Sequence, residues 1–195
     1  MLVPVGIDNY TPFDPTTILA DDSAAILIYY RYDNNEVDSA FRDNAHRLQI
    51  IHDAITSLLA DNTKQLALIR IVGSSSVEGA EAYNATLSLQ RARALASYLK
   101  ERYNFTDNQL EILSIGEGWS NFRYMIANTA LDVLPQRDAL LNIINSTSNL
   151  YLRERKLKDY GNGRAWHYIT RHILPYQRNA GYLVIYFRHT QPQAN

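Results

Sequence analysis

Residues 73–99 read Gly73-Ser-Ser-Ser-Val-Glu-Gly79-Ala-Glu-Ala-Tyr-Asn84-Ala-Thr-Leu87-Ser88-Leu-Gln-Arg91-Ala92-Arg-Ala-Leu-Ala-Ser-Tyr98-Leu99. The stretch begins with a polar loop between two glycines. Apolar residues then recur at three- and four-residue steps, which predicts a helix from about Ala80 to Arg102. The apolar run from Leu66 to Val72 comes just before the loop and predicts a strand. The pattern is therefore a strand, a glycine-bounded loop and a helix.

One charged residue breaks the pattern of this helix. At about 100° per residue, the apolar side chains fall in one arc that faces the core, and Arg91 lies inside that arc. Asn84 is nearly in line with it, and Ser88 lies close by. A buried guanidinium needs a carboxylate partner, a solvent-exposed edge, or a cleft in which a ligand supplies the anion. An internal salt bridge and a ligand site are both open at this point, and free loop amides at the helix N-terminus together with a bidentate arginine would suit a carboxylate ligand.

The rest of the chain extends this pattern in both directions. Before it, residues 1–23 hold three of the six prolines and predict an irregular arm, followed by a strand at 24–32 and an amphipathic helix at 44–59. After it, a strand is expected at 110–115, patchy helices at 119–173, with the best-formed piece at 134–144, and a last strand at 181–188. A polar tail at 189–195 should fray.

The order of elements is β-α-β-α-β, a helical insertion, then β. This order predicts one α/β domain at 24–188, more narrowly an α+β two-layer sandwich. Its mixed four-stranded sheet would be covered by helices on one face.

Composition narrows the function classes. The formal net charge of −1 removes the general attraction that nucleic-acid and anionic-membrane binders show. The absence of cysteine excludes disulfides, cysteine nucleophiles and cysteine-ligated metals. No apolar run reaches about 18 residues and the start has no basic region, so neither a membrane span nor a signal segment is expected. If the protein works outside the cytoplasm, Met1 would be either a cloning start or what remains after removal of an export segment.

The usual signatures of enzymes and metal sites are missing. His167 and His172 would lie about 140° apart on a helix, which suits a shared metal poorly. No nucleophile elbow, phosphate-binding loop or dinucleotide fingerprint occurs. We therefore expect no metal, no cofactor and no catalytic residues, and keep an uncharacterised enzyme as a second alternative.

The loop and helix resemble the signature of OmpA-like peptidoglycan-binding domains. Glycine, a short polar loop, glycine, asparagine, Leu-Ser-x-x-Arg-Ala and a Tyr-Leu helix end all stand here at the family spacing. The resemblance implies non-covalent binding of the peptide stem of peptidoglycan through its diaminopimelate residue, with no enzymatic activity. It also implies a Gram-negative periplasmic location, with attachment to the outer membrane through a part of the precursor outside this sequence. An OmpA-like fold used as an assembly module of the cell envelope, without peptidoglycan binding, is the first alternative.

The resemblance also assigns roles within the site. Arg91 matches the family arginine that takes the diaminopimelate carboxylate, and Asn84 matches the asparagine of the same pocket. Typical members have an aspartate at the position of Ser76, where it pairs with the ligand ammonium; here Glu78 is the candidate replacement. The Ser-x-Glu-Gly loop is similar to that of a family branch with a long helical insertion before the last strand. The expected ligand-binding residues are Ser75, Ser76, Glu78, Gly79, Asn84, Ser88 and Arg91.

Overall fold

A five-stranded mixed sheet forms the centre of the computed structural model, which describes residues 2–22 and 24–190. The strands are β1 Val5–Gly6, β2 Ile28–Tyr29, β3 Lys64–Ser75, β4 Leu110–Glu117 and β5 Asn179–His189. The α-helices are α1 Asn44–Ala60, α2 Glu81–Tyr103, α3 Trp119–Ala127, α4 Arg137–Ser146, α5 Leu150–Asp159, α6 Arg164–His172 and α7 Leu174–Gln177.

The strand order confirms the predicted fold class and adds one strand. The sheet runs β1-β5-β3-β4, and β2 pairs with the start of β5. β3 lies parallel to β4 and antiparallel to β5, so the sheet is mixed. The additional strand is β1, which belongs to the arm and pairs in parallel with β5. The prediction of four strands was wrong because two paired residues leave no periodic pattern in the sequence.

The first predicted strand, residues 24–32, was wrong in extent. Only Ile28 and Tyr29 pair with β5. A Cβ on Gly181 would lie 2.1 Å from the carbonyl oxygen of Ile26, so this segment crosses directly over the backbone of β5 instead of running beside it. The run is apolar because its side chains are buried, and a buried segment need not pair along its length.

Two apolar layers cover the two faces of the sheet. Ile69 and Ile71 of β3 point into a core formed with α1 and α2. Val72 points to the other face, as alternation along a strand requires, and packs there with Leu19 and Leu27. Helices therefore cover one face, as predicted, while the segment around residues 13–27 covers the other.

The helices after β4, α3 to α7, are together called the helical insertion below, and they have an apolar cluster of their own. Phe122, Leu140, Leu157 and Ile169 are buried in it. Val77, from the loop between β3 and α2, is part of the same cluster. This loop is therefore packed against the helical insertion as well as joined to the sheet.

The end of the described chain is bound to the body. His189 belongs to β5, the amide of Thr190 donates to Thr63 O at 3.0 Å, and its hydroxyl donates to Asn62 O at 2.8 Å. Fraying from His189 was therefore a wrong prediction for these two residues; the rest of the predicted tail and Met1 lie outside the described residues. Within the described ranges, the helices are all too short or too polar to cross a membrane.

Candidate ligand-binding site

A small cavity of about 90 Å³ lies where the β3–α2 loop, the face of α2 and the turn after β2 meet. Its wall contains five of the seven predicted site residues: Ser76, Glu78, Gly79, Asn84 and Arg91. The remaining wall residues are Tyr32, Asp33, Tyr83, Leu87 and Arg178. A larger cavity of about 650 Å³ between the arm and α1 is lined mainly by apolar side chains and includes none of these residues.

Arg91 is the most deeply buried charged group of the site, with 1% of its surface exposed. Its guanidinium donates to three backbone carbonyls: Nε to Asn34 O at 3.0 Å, one terminal nitrogen to Ser74 O at 3.1 Å, and the other to Arg31 O at 3.4 Å. None of the ion pairs among the described residues includes it. The structure therefore does not show the internal salt bridge, which was one of the two hypotheses left open by the sequence.

The environment of Arg91 lowers its pKa without neutralising it. Burial is the main cause, and it brings the pKa of Arg91 to about 10. The guanidinium is still charged at neutral pH, and it faces neutral acceptors. A guanidinium has five N–H groups, so the three carbonyls leave donors available to a further acceptor.

Asn84 connects three elements around the cavity. Its side-chain nitrogen donates to Glu78 O at 2.9 Å and to a carboxylate oxygen of Glu117 at 2.9 Å. The other oxygen of Glu117 accepts from the indole nitrogen of Trp119 at 2.8 Å. The amide of Asn84 thus ties the loop to the carboxyl end of β4.

Glu78, the candidate ammonium partner, already has a cation beside it. A terminal nitrogen of Arg178 lies 2.7 Å from Glu78 Oε1, and the Ser76 hydroxyl donates to the same oxygen at 3.2 Å. Arg178 immediately precedes β5, far from the loop in sequence. Its Nε is buried and has no hydrogen-bond partner among the described residues.

The expectation of free loop amides was wrong for two positions. The amide of Gly79 donates to Glu154 Oε1 at 3.0 Å, and the amide of Val77 donates to Gln177 Oε1 at 3.4 Å. Both acceptors come from the helical insertion. Glu154 is buried and also pairs with Lys158 at 2.7 Å.

Ser75 and Ser88, the other two predicted site residues, do not line the cavity. The Ser75 hydroxyl donates to Gly116 O at 2.9 Å. The Ser88 hydroxyl donates to Ala85 O at 2.9 Å and shares a hydrogen bond with the Ser114 hydroxyl. Both serines join neighbouring elements to β4, because the strand and helix turn these side chains toward the sheet.

No local pattern in the sequence indicates that Arg178, Glu154 or Gln177 contacts this loop. They reach the loop only through the tertiary packing of the insertion, so no spacing rule connects them to it. Asp33 could have been noticed, because it is the first polar residue of the turn that ends an apolar run, and such turns carry functional groups in many folds.

Comparison with known proteins supports the resemblance to OmpA-like domains. Residues 41–129 match the model of the OmpA family. This stretch is OmpA-like. The resemblance inferred from the loop and helix is thereby confirmed, and all seven predicted site residues lie within the OmpA-like stretch, whereas Asp33, Glu154 and Arg178 lie outside it.

Among solved structures, the chain is similar to the peptidoglycan-associated lipoprotein from Burkholderia pseudomallei. The sequences are 25% identical over 53% of this chain and 76% of that chain, with a TM-score of 0.37. No curated protein matches the chain.

Proposed function

We propose that this OmpA-like domain binds the diaminopimelate residue of peptidoglycan stem peptides without turning them over, and so attaches an envelope protein to the cell wall in the periplasm. The observation that carries the proposal is Arg91. It is a charged, almost fully buried guanidinium on the wall of a cavity, with no carboxylate partner among the described residues. A buried charge without a counter-ion is costly, and an anionic ligand would offset that cost.

The ligand carboxylate would accept from the donors of Arg91 that the backbone carbonyls leave available. Ser76 lies on the same wall and can donate or accept a hydrogen bond. Asn84 is already committed to Glu78 O and Glu117, so its part is to hold the loop in shape. Recognition then depends on one carboxylate in a preformed cavity, which suits reversible binding.

An assembly module without peptidoglycan binding is the second candidate. It is favoured by the insertion side chains that occupy the amides of Val77 and Gly79, because these two donors are not available to a ligand. The two functions differ in whether an isolated cell wall captures the domain.

Co-sedimentation with two kinds of purified cell wall tests the proposal. Diaminopimelate-type wall carries the terminal carboxylate that Arg91 would bind, whereas lysine-type wall keeps the ammonium and lacks that carboxylate. We expect the domain to sediment with the first and to stay in solution with the second. Equal recovery with both walls, or with neither, would remove Arg91 as a diaminopimelate-binding group.

A matched pair of arginines on α2 supplies the protein-side control. Arg91→Ala is expected to weaken wall binding at least tenfold, while Arg93→Ala, on the exposed side of the same helix, should bind as wild type does. Because Arg91→Ala leaves Ser74 O and Asn34 O without their donor, Arg91→Lys is measured beside it. Lysine retains the charge and cannot form the bidentate pair, so its binding should also be reduced in a folded domain.

A further inference from the structure

We propose that Asp33 is the carboxylate that receives the ligand ammonium. In typical OmpA-like domains an aspartate at the position of Ser76 has this role. This inference rests on the proposed function and specifies which side chain binds the ammonium of diaminopimelate. Nothing in the resemblance assigned Asp33 to the site.

The charges on the cavity wall divide into a pair and two singles. Arg178 and Glu78 are paired with each other at 2.7 Å. Arg91 and Asp33 belong to no ion pair among the described residues, although both line the cavity. The groups left for a ligand are thus one cation and one anion, which complements a carbon that carries both a carboxylate and an ammonium.

Asp33 is held in place from two sides. Its backbone has φ of 52°, in the left-handed region that aspartate tolerates better than most residues. The Tyr83 hydroxyl, in the first turn of α2, donates to its carboxylate. Arg91 donates hydrogen bonds to Arg31 O and Asn34 O, which lie on either side of Asp33 in the chain. The single cation and the single anion are therefore fixed relative to each other by direct contacts.

The two other candidates for the ammonium are less suitable. Ser76 is neutral, so it offers a hydrogen bond without charge. Glu78 would have to leave Arg178, whose Nε already lacks a partner. Asp33 is exposed to solvent at the mouth of the cavity and gives up no salt bridge to bind a new cation.

Calorimetric titration with two stem peptides separates this role from a structural one. One peptide has the free ammonium on the terminal carbon of diaminopimelate, and the other has the same nitrogen acetylated. For the free peptide, Asp33→Asn is expected to weaken binding about tenfold, equivalent to ~1.4 kcal/mol. For the acetylated peptide, wild type and Asp33→Asn should bind with equal affinity, because the charge that Asp33 would meet is absent. Asparagine also tolerates the left-handed conformation, so the variant should keep its fold.

Glu78→Gln is the matched control, because it removes the other carboxylate of the cavity. It should not reproduce the selective loss for the free peptide. If wild type binds the free peptide and Asp33→Asn binds it equally well, or loses affinity for both peptides alike, the role of Asp33 is overturned while the proposed function stands. If wild type binds neither peptide, the proposed function fails and the assignment of Asp33 fails with it.

Discussion

Two glycines of the loop have different physical tasks, although both mark the same motif. Gly73 is a point of close approach: a Cβ there would lie 1.8 Å from the carbonyl oxygen of Ser88, so α2 packs directly on the backbone of β3. Gly79 supplies a conformation, with φ of 101°, which side chains with a Cβ rarely adopt. The turn at Gly79 was predicted from the sequence, whereas the contact at Gly73 depends on where the helix lies.

Gly79→Ala should be destabilising and should weaken wall binding. The space around it is open, the nearest atom being 3.9 Å from an added Cβ, so the cost is conformational, about 1–2 kcal/mol. Gly6→Ala is the control, since Gly6 has φ of −59° and similar open space. Chemical denaturation of both variants measures the difference, and equal stabilities would show that the left-handed conformation at Gly79 is not a constraint.

Gly73→Ala should cost more in stability than its size suggests. The added methyl meets backbone, which cannot rotate away, so α2 must shift from β3 at a cost of about 1–3 kcal/mol. Thermal unfolding compared with that of wild type is the measurement. A variant as stable as wild type would mean that α2 does not lie in direct contact with this strand.

Arg91 shows how far sequence reasoning reaches at the scale of one residue. Its position in the apolar arc predicted burial, and 1% exposure confirms that. Its partners were not predictable, because backbone carbonyls at Arg31, Asn34 and Ser74 have no identity in the sequence and are brought together only by the tertiary fold. An internal carboxylate partner was one of the alternatives left open by the sequence, and backbone carbonyls satisfy the same donors instead.

At the scale of elements, the helical insertion contacts the β3–α2 loop. Three consecutive loop residues have partners from this part of the chain. Val77 contacts Gln177, Glu78 contacts Arg178, and Gly79 contacts Glu154. The helical character of residues 119–173 could be predicted from apolar spacing. These three contacts could not, because each joins the loop to a residue that is distant in sequence, either on a helix of the insertion or directly after its last helix.

Glu154→Ala should loosen the loop. The amide of Gly79 would lose a charged acceptor, which costs about 1.5–3 kcal/mol, and its hydrogen exchange should accelerate. Glu154→Gln keeps an acceptor, so the Gly79 amide should exchange more slowly in it than in the alanine variant. Lys158→Ala removes only the half-exposed cation beside Glu154 and serves as the control. Unchanged exchange at Gly79 in Glu154→Ala would show that the insertion does not hold the loop.

At the scale of the whole molecule, His52 joins the two helices that cover the sheet. Its Nδ1 lies 2.6 Å from the Tyr103 hydroxyl and its Nε2 lies 2.9 Å from the Tyr98 hydroxyl, so α1 and α2 meet through one buried imidazole. Burial lowers the pKa of His52 below its usual value of 6.5. Its neutral form is therefore the one that the fold favours.

The stability of the domain should consequently fall as the pH drops below about 6.5. In that range the unfolded chain takes up a proton at His52 that the folded chain resists, so unfolding becomes easier, by at most about 1.4 kcal/mol per pH unit for one proton. Urea unfolding between pH 7.5 and about 5.5 measures the slope. His52→Gln should flatten it, while His46→Gln, on the exposed side of the same helix, should leave it unchanged. A slope that survives His52→Gln would assign the pH dependence to other groups.

At the scale of the whole molecule, the candidate cavity lies where the β3–α2 loop, the face of α2 and the turn after β2 meet, and the helical insertion contacts that loop from outside the cavity. Fold class and the position of α2 followed from sequence periodicity, because burial of one helix face leaves a clear pattern. The sequence did not predict that residues around 13–27 cover the second face of the sheet. This segment packs through a few separate contacts, such as those of Leu19, which have no regular spacing.

Recognition of diaminopimelate by this cavity is tested most directly by calorimetric titration with two stem peptides that differ only in carrying diaminopimelate or lysine at the same position. We expect binding of the diaminopimelate peptide, and at least tenfold weaker binding of the lysine peptide, because the carboxylate that Arg91 would receive is missing from it. Arg91→Lys should lose most of this preference while remaining folded. Equal affinity of wild type for the two peptides, or no binding of either at about millimolar concentration, would contradict diaminopimelate recognition by this domain.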